Sequence, residues 1–341
     1  MDKNVNSAIG DNIVVTIGFP VYNVEKFVEK SLCSALQQDF GQPYEILVID
    51  DRGCDRSMDI VYNMSKNHPN GNKIRVITRS RNKGIGAARN LIIQEAMGDY
   101  LFFLDSDDCI SPDCLSIIYE KAILHDCDVV VASYKSVSEK GEVINMLKLP
   151  NYYQNGVSVL GGVDWQIAVW NKLYRLDFLR DNKIGCSHDV FEDVMFNYKL
   201  RLCAKSICLI PNVTLSYLVR EASITDVSNK NPNDKMVQTY SDIIHRMGQI
   251  ASEKENVNGV WDFYISSIRF VFAAVCRKKF TSAQLKMFNT SIQGYMDIIP
   301  SCKKLNSNTH RILYVINKVK SDYKTFLWFY KGLETLRMRL R

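Results

Sequence analysis

Short apolar runs alternate with amphipathic stretches over the first 135 residues of the chain. Apolar residues at helical spacing mark four candidate helices, around residues 24–36, 60–64, 91–96 and 115–123. Between them, five runs rich in Val, Ile and Leu predict strands that are buried on both faces, at Ile13–Phe19, Tyr44–Ile49, Lys73–Thr78, Tyr100–Leu104 and Asp128–Ser133. This alternation is typical of βαβ units and predicts an α/β fold with a mostly parallel central sheet.

The rest of the chain has a different pattern. Residues 135–163 are rich in Gly, Pro and Asn and are predicted to be mostly loop. The segments predicted beyond them are helices at Trp165–Leu179 and Phe191–Cys203, a strand pair at Ser206–Tyr217 broken at Pro211, a polar linker at Thr225–Asp234, and helix from there to the end. We therefore expect a main domain over residues 12–225 and a helical C-terminal region over residues 235–341.

Charge is distributed unevenly along the 341 residues. Lys and Arg outnumber Asp and Glu by 43 to 37, a net charge of +6. Residues 303–341 hold ten basic residues against Asp322 and Glu334, so this tail carries +8 and the remaining body carries −2. The body is therefore not a general polyanion binder, and nucleic acid is not an expected partner.

The tail interleaves its basic residues with Leu, Tyr, Phe and Trp. Two interpretations stay open for it: peripheral contact with an anionic membrane, or packing on the protein's own helices or on a second subunit. No apolar run approaches the roughly 18 residues needed to span a bilayer, and the polar N-terminus lacks the apolar core of a signal peptide. The ten cysteines include no CxxC pair and are interpreted as reduced thiols. We expect a cytoplasmic protein, with the inner face of the cell membrane as the place of any peripheral contact.

Candidate chemistry lies directly after the predicted strands, because ligands of open parallel sheets bind outside the carboxyl ends of the strands. The fourth strand is followed by Asp105-Ser106-Asp107-Asp108. Crowded carboxylates repel each other unless a cation or proton neutralises them, and Mg²⁺ or Mn²⁺ prefers such oxygen ligands together with substrate phosphates. The alternative is an acidic turn before a helix N-terminus.

Two further motifs allow both a functional and a structural interpretation. The stretch from Asn82 to Asn90 contains a G-x-G and Arg89, which indicates phosphate binding at a helix start or close packing of a Gly and Ala face on the sheet. The pair Glu192-Asp193 opens a predicted helix, and either provides a catalytic base or only complements the helix dipole.

Six motifs occur in order over residues 12–225 and together resemble the glycosyltransferases of family 2, which have the GT-A fold and use nucleotide-diphosphate sugars. They are Pro20-Val21-Tyr22-Asn23, Ile49-Asp50-Asp51, Asn82-Lys83-Gly84 through Ala88-Arg89-Asn90, Phe103 through Asp108, Trp170 through Tyr174, and Phe191-Glu192-Asp193. The resemblance implies a nucleotide-diphospho-sugar transferase fold, with a nucleotide-sugar half at about residues 12–134 and an acceptor half at about residues 135–225.

The resemblance also implies a role for each candidate residue. Pro20, Tyr22 and Asp51 would hold the base and ribose, with Asn23 and Asn82 in the flanking motifs. Asp105 would lie near the ribose and Asp107 on the metal, a role that the overlapping register also allows for Asp108. Arg89 and Lys172 would contact the diphosphate, and Asp193, with Glu192 beside it, would be the general base.

The expected function is that of a metal-dependent, inverting glycosyltransferase of the hexosyltransferase type, with Mn²⁺ or Mg²⁺ as cofactor. The expected donor is a UDP-sugar, and the expected acceptor is a saccharide or lipid-linked saccharide in cell-envelope or capsular polysaccharide synthesis. Two rivals remain: a nucleotide-sugar-binding module that has lost its chemistry, and a nucleotidyltransferase on a similar sheet. Pro20-Val21-Tyr22-Asn23 argues against the second, because such enzymes usually have a Gly-rich basic loop after the first strand.

Overall fold

A computed structural model describes residues 12–155, 168–187, 191–221, 223, 233–254, 259–277 and 280–296. The chain divides into two compact units, Met1–Arg220 and Glu221–Arg341. Within the described part of the first unit, one sheet has ten strands, β1 Val15–Val21, β2 Tyr44–Asp50, β3 Ile74–Thr78, β4 Tyr100–Phe103, β5 Cys109–Ile110, β6 Val129–Ser138, β7 Val143–Leu147, β8 Tyr152–Asn155, β9 Lys172–Arg175 and β10 Ser206–Val219.

The sheet order is β3-β2-β1-β4-β9-β6-β10-β5, with β7 added to β6 and β8 added to β10. Strands β3, β2, β1 and β4 are parallel neighbours, and β6 and β10 pair in parallel, while β5, β7, β8 and β9 pair antiparallel with their neighbours. The predicted α/β fold is confirmed, and the sheet is mixed: it is parallel from β3 to β4, as predicted, whereas most of the pairings beyond β4 are antiparallel.

Helices cover both faces of this sheet. The six described helices of the first unit are α1 Val28–Leu36, α2 Ser57–Asn67, α3 Ile85–Glu95, α4 Cys114–Leu124, α5 Leu176–Asp181 and α6 Glu192–Cys203. Side chains alternate across the strands, so Ile46 and Val48 of β2 belong to the core beneath α1, α2 and α4. Leu47 and Ile49 belong to the core beneath α3, α5 and α6. Burial on both faces explains the continuous apolar sequence of the central strands.

Three sequence-based assignments are wrong. The helix predicted over Trp165–Leu179 is replaced at its centre by β9, which pairs with β4 and β6, and of the described residues 168–179 only those of α5 are helical. The strand pair predicted to break at Pro211 is one strand, β10, with a register irregularity between Ile210 and Val213. A bulge tolerates a proline, which has no N–H to donate to the ladder.

The third error concerns residues 135–163, where β6 continues to Ser138 and β7 and β8 follow. All residues of β7 except Leu147 are exposed, so no buried face imposes an alternating pattern on its sequence. The part of this stretch from residue 156 onward lies outside the described residues.

The second unit is helical where it is described, with α7 Asp234–Glu253, α8 Val260–Arg277 and α9 Ser282–Met296. The Asn233 side chain caps α7 by accepting a hydrogen bond from the Met236 N–H at 3.0 Å. None of the described helices has the length and apolar character to cross a membrane. The basic tail, residues 303–341, lies outside the described residues. Both interpretations of the tail, membrane contact and packing on protein, therefore stay predictions.

Candidate active site

The carboxyl ends of β2, β1 and β4 lie side by side because these strands are parallel neighbours. Asp51 follows β2, Tyr22 follows β1 and Asp105 follows β4. The candidate residues of the first half of the chain therefore meet at one edge of the sheet, as the strand pattern predicts.

Asp51 is almost fully buried and anchors the loop that leads into α3. Its Oδ1 accepts hydrogen bonds from Arg79 Nη1 at 2.7 Å and from the Lys83 N–H at 3.1 Å, and its Oδ2 accepts from the Gly84 N–H at 3.0 Å. The φ of Gly84 is +84°, a left-handed conformation that favours glycine. Asn82 Oδ1 also accepts from the Gly84 N–H, at 2.9 Å. The N–H groups of Lys83 and Gly84, just before α3, thus already have acceptors within the protein.

The residues after β1 present an exposed aromatic ring, that of Tyr22, on a turn held by a hydrogen bond. Pro20 is buried within β1, whereas the Tyr22 side chain is 46% exposed. Asn23 is left-handed, with φ at 52°, and its Oδ1 accepts a hydrogen bond from the Cys54 N–H at 2.8 Å. An exposed aromatic ring on a fixed turn is suited to stacking against a planar base.

The three carboxylates after β4 have three different partners. Asp105 Oδ1 accepts from Arg89 Nη2 at 2.7 Å, and Asp107 Oδ2 accepts from Arg220 Nε at 2.8 Å. Asp108 Oδ1 accepts from the Leu218 N–H of β10 at 2.8 Å. The other oxygen of the buried Asp108, Oδ2, has no hydrogen-bond partner among the described residues.

Arg220 is a site residue that the sequence motifs did not single out. Its guanidinium lies 4.8 Å from the centre of the Phe27 ring and forms the ion pair with Asp107. A signal was present, since an arginine that directly follows a long strand, here β10, lies at an edge of the sheet. Arg79, the partner of Asp51, also directly follows a strand, β3, and the sequence motifs gave it no role either.

Burial and mutual repulsion change the protonation of this acidic turn. Burial raises the pKa of Asp108 well above its ordinary value, and the nearby charges of Asp107 and Asp105 add to the effect. Burial and Asp105 also raise the pKa of Asp107, against the opposing effect of Arg220. A cation close to Asp107 therefore favours the ionised form of that carboxylate.

Arg89 joins this turn to the second acidic pair. Its Nη1 donates to Glu192 Oε1 at 2.5 Å while its Nη2 holds Asp105. Burial disfavours the charged guanidinium, but the carboxylates of Asp105 and Glu192 outweigh it and raise the pKa of Arg89. The guanidinium is thus engaged by two carboxylates, and its predicted contact with a diphosphate stays a prediction.

Glu192 and Asp193 begin α6, directly after Phe191, whose backbone is left-handed with φ at 67°. Burial, together with the charge of Glu192, raises the pKa of Asp193 to about 7, although Arg89 and Lys172 act in the opposite direction. A carboxylate with a pKa near neutrality is suited to general-base catalysis, because it combines an available ionised form with basicity.

Lys172 is completely buried at the start of β9. Its Nζ donates to the Ala168 carbonyl and, at 2.8 Å, to Asn171 Oδ1. Burial lowers the pKa of Lys172 to about 7, although the charge of Asp193 opposes the shift. Lys172 therefore holds the segment before β9 and lies close enough to Asp193 to interact electrostatically, while its predicted diphosphate contact stays a prediction.

The fit of a divalent cation depends on Asp107 and its neighbours. No group of three or more Asp, Glu, His or Cys side chains arranged for metal binding occurs in the part of the chain that the structure describes. Mg²⁺ and Mn²⁺ sites at phosphate substrates commonly use only one or two protein carboxylates. The partly exposed carboxylate of Asp107 and the partnerless Oδ2 of Asp108 are consistent with such a site.

The sheet topology, with carboxylates after β2 and β4, agrees with the GT-A fold that the sequence resemblance implies. A solved structure of Staphylococcus aureus TarS residues 1–349 in complex with UDP-GlcNAc matches 94% of this chain and 88% of that chain, with a TM-score of 0.70 and 20% sequence identity. At this identity the match demonstrates the fold alone.

The family model described as Glycosyl transferase family 2 matches residues 16–189, more than half of the chain. The chain therefore belongs to glycosyltransferase family 2. Among curated proteins it is 27% identical over 242 residues to glycosyltransferase GlyA of Streptococcus pneumoniae, a match that covers 67% of this chain and 34% of that protein. It is 31% identical over 213 residues to poly(ribitol-phosphate) beta-glucosyltransferase of Bacillus spizizenii, covering 60% and 32%. The chain thus spans about a third of the length of these two relatives.

Proposed function

We propose that this chain is an inverting, metal-dependent glycosyltransferase that moves a hexose or N-acetylhexosamine from a UDP-sugar to a saccharide or lipid-linked saccharide acceptor. The observation that carries the proposal is the arrangement around Arg89, which joins Asp105 of the donor side to Glu192 beside the candidate base. Donor-binding and proton-accepting groups lie on either side of one guanidinium.

On the donor side, Tyr22 stacks on the base, and Asp51 with Asn23 and Asn82 keeps the surrounding loops in place. Support comes from the exposed ring of Tyr22 and from the hydrogen bonds that fix those loops. Asp105 lies near the ribose. Residues at about 12–134 bind the nucleotide-sugar donor, and residues at about 135–225 bind the acceptor.

Asp107 would hold the divalent cation, Mn²⁺ or Mg²⁺, with Asp105 and Asp108 as the neighbouring carboxylates. When bound, the cation stabilises negative charge on the diphosphate leaving group. Arg220 forms an ion pair with Asp107 and would lie beside the cation as a second positive charge near the diphosphate.

Asp193 accepts the proton of the acceptor hydroxyl as that oxygen attacks the anomeric carbon from the face opposite the leaving group. The bond between the sugar and the nucleoside diphosphate breaks in the same step, so the anomeric configuration inverts. Glu192 contributes by raising the basicity of Asp193 and by holding Arg89. A pKa of about 7 supports this assignment, because the ionised base is available at neutral pH.

The acceptor side of the proposal rests on the family and on relatives whose names refer to poly(ribitol-phosphate) and to diacylglycerol. We propose an acceptor in the synthesis of a cell-envelope or capsular polymer. Contact of residues 303–341 with a membrane or with a second subunit is part of this proposal and is tested by liposome flotation of the full chain against a chain ending at Cys302.

The decisive experiment is a screen of UDP- and GDP-sugars for nucleoside diphosphate release, with and without Mn²⁺, using Asp107→Ala as the control. Metal-dependent release from one UDP-sugar, lost in the variant, is the expected result. Metal-dependent binding of a UDP-sugar without release, for every acceptor class tried, favours the binding module that has lost its chemistry. Release of pyrophosphate from a nucleoside triphosphate and a sugar phosphate favours the nucleotidyltransferase.

A further inference from the structure

The segment that leads to the acidic pair lies against the first turns of α3. Asn90 Nδ2 donates to the Cys186 carbonyl at 2.9 Å, and Asn90 Oδ1 accepts from the Cys186 N–H at 2.8 Å. One side-chain amide thus satisfies both peptide groups of a residue 96 positions later, as a neighbouring strand would. The backbone at Cys186 is therefore held in a single position relative to α3.

Gly86 lies one turn before Asn90, on the same face of α3. A Cβ atom at Gly86 would lie 2.0 Å from the Ser187 carbonyl oxygen and 3.0 Å from Glu192 Cβ. Only glycine allows this approach. A glycine within a helix costs about 0.5–1 kcal/mol relative to alanine. The close packing that Gly86 allows offsets this loss of stability.

Arg89 completes the face through its ion pair with Glu192. The Ser187 N–H also reaches the Glu192 carbonyl at 3.4 Å, which connects the segment held by Asn90 to the start of α6. Contacts from α3 therefore reach the acidic pair on both sides, through the preceding backbone and through the Glu192 side chain.

We propose that the α3 face, defined as Gly86, Arg89 and Asn90, positions the acidic pair Glu192-Asp193, and that Asn90 is a positioning residue for the general base. This inference rests on the proposed function of Asp193. It gives the glycine-rich stretch a packing role, while the N–H groups of Lys83 and Gly84, just before α3, donate to Asp51 and Asn82.

Displacement of the general base and loss of donor binding are two effects that a catalytic assay can separate. Within the described part of the chain, the hydrogen bonds of the Asn90 side chain go to Cys186 and not to a candidate donor residue, so its loss should move the base without changing donor binding. The charged and titratable groups that act on Asp193 are Glu192 on α6, Arg89 on α3 and Lys172 on β9, with Tyr174 and Cys186 also within electrostatic reach. A displaced segment alters the surroundings of Asp193 while leaving Tyr22, Asp51 and Asp107 in place.

The test compares Asn90→Ala with Gln94→Ala, which removes an exposed amide from the same helix. For Asn90→Ala we expect kcat for sugar transfer to fall at least about tenfold while the donor KM stays within about twofold. Asn90→Asp keeps the acceptor for the Cys186 N–H and should retain an intermediate kcat. Gln94→Ala should behave as the wild type, and far-UV circular dichroism checks that all variants fold.

Amide hydrogen exchange of residues Ile184–Ser187 gives a readout that does not depend on turnover. We expect faster exchange of this segment in Asn90→Ala than in Gln94→Ala, with α3 itself unchanged. Unchanged exchange, an unchanged kcat, or a loss of donor affinity that accounts for the whole fall in kcat/KM overturns the inference. A wild type that releases no nucleoside diphosphate contradicts the proposed function, and the exchange comparison then still decides whether Asn90 holds the segment.

Discussion

The two acidic groups of the site, the Asp105–Asp108 turn after β4 and the Glu192-Asp193 pair at the start of α6, carry the same kind of side chain in different surroundings. In the turn, Asp105 and Asp107 each face an arginine, and Asp108 holds a backbone N–H of β10. In the pair, burial and the adjacent Glu192 bring the pKa of Asp193 to about 7.

This difference shows that the environment, more than the residue type, decides what an aspartate does. Burial raises the pKa in both groups, at Asp107 and Asp108 as at Asp193, but at Asp107 an arginine opposes the shift. A carboxylate beside a positive charge can exchange one positive partner for another, as a metal-binding role requires. A carboxylate whose charge is destabilised by burial is suited to take up a proton. Arg89 connects the two groups because it holds one carboxylate of each.

The largest expected effect comes from replacing the candidate base. Asp193→Asn removes the proton acceptor with little change in shape, so sugar transfer should fall by about 10²- to 10⁴-fold. Donor affinity, measured by calorimetry with a UDP-sugar and Mn²⁺, should stay within about threefold because Asp193 does not hold the nucleotide. Wild-type transfer by this variant would move the base to Glu192 or elsewhere.

A second comparison distinguishes the two metal-ligand candidates within the turn. Asp107→Asn should lower Mn²⁺-activated nucleoside diphosphate release by about a hundredfold, because it removes the carboxylate that we propose to hold the cation. Asp108→Asn keeps an oxygen acceptor for the Leu218 N–H and should lower release by less than about tenfold. The assay is a Mn²⁺ titration at saturating donor, and the reverse order of the two variants would assign the metal to Asp108.

The pH dependence of the reaction tests the acidic pair directly. Because the base must be ionised and its pKa is about 7, kcat should rise with pH through about 7 and be about tenfold below its plateau at pH 6. Glu192→Gln removes the like charge that raises this pKa, so the rise should move to lower pH in that variant. A profile that is flat between pH 5 and pH 8 would disagree with a base of this pKa.

The smallest expected effect is on stability. A carboxyl group whose folded-state pKa is raised contributes stability below its unfolded pKa, near 4, and loses that contribution as the pH rises through about 7. Asp193→Asn avoids this loss, so its Tm relative to the wild type should be higher at pH 8 than at pH 5, by about 2–4 °C. Thermal denaturation at the two pH values measures the difference, and an equal offset at both would contradict the raised pKa.

The local sequence pattern predicted those strands and helices whose buried faces leave a periodic pattern of apolar residues. The strands β1 to β4 and the helices α1, α3, α4 and α6 agree closely with the predicted segments, because a strand buried on both faces and an amphipathic helix each have a recognisable period. The strand β9 did not, because its short apolar run suits a helix equally well and only pairing with β4 and β6 selects the strand.

The amino-acid pattern alone was enough to predict the class of fold, the strands of the parallel part of the sheet, and the acidic residues that follow them. Their long-range partners became known from the folded structure: Arg220 for Asp107, Arg89 for Glu192, and Asn90 for Cys186. The physical reason is sequence separation. Periodicity records which face of an element is buried, whereas an ion pair between residues about a hundred positions apart depends on how the folded elements bring them together, and no local pattern encodes that distance.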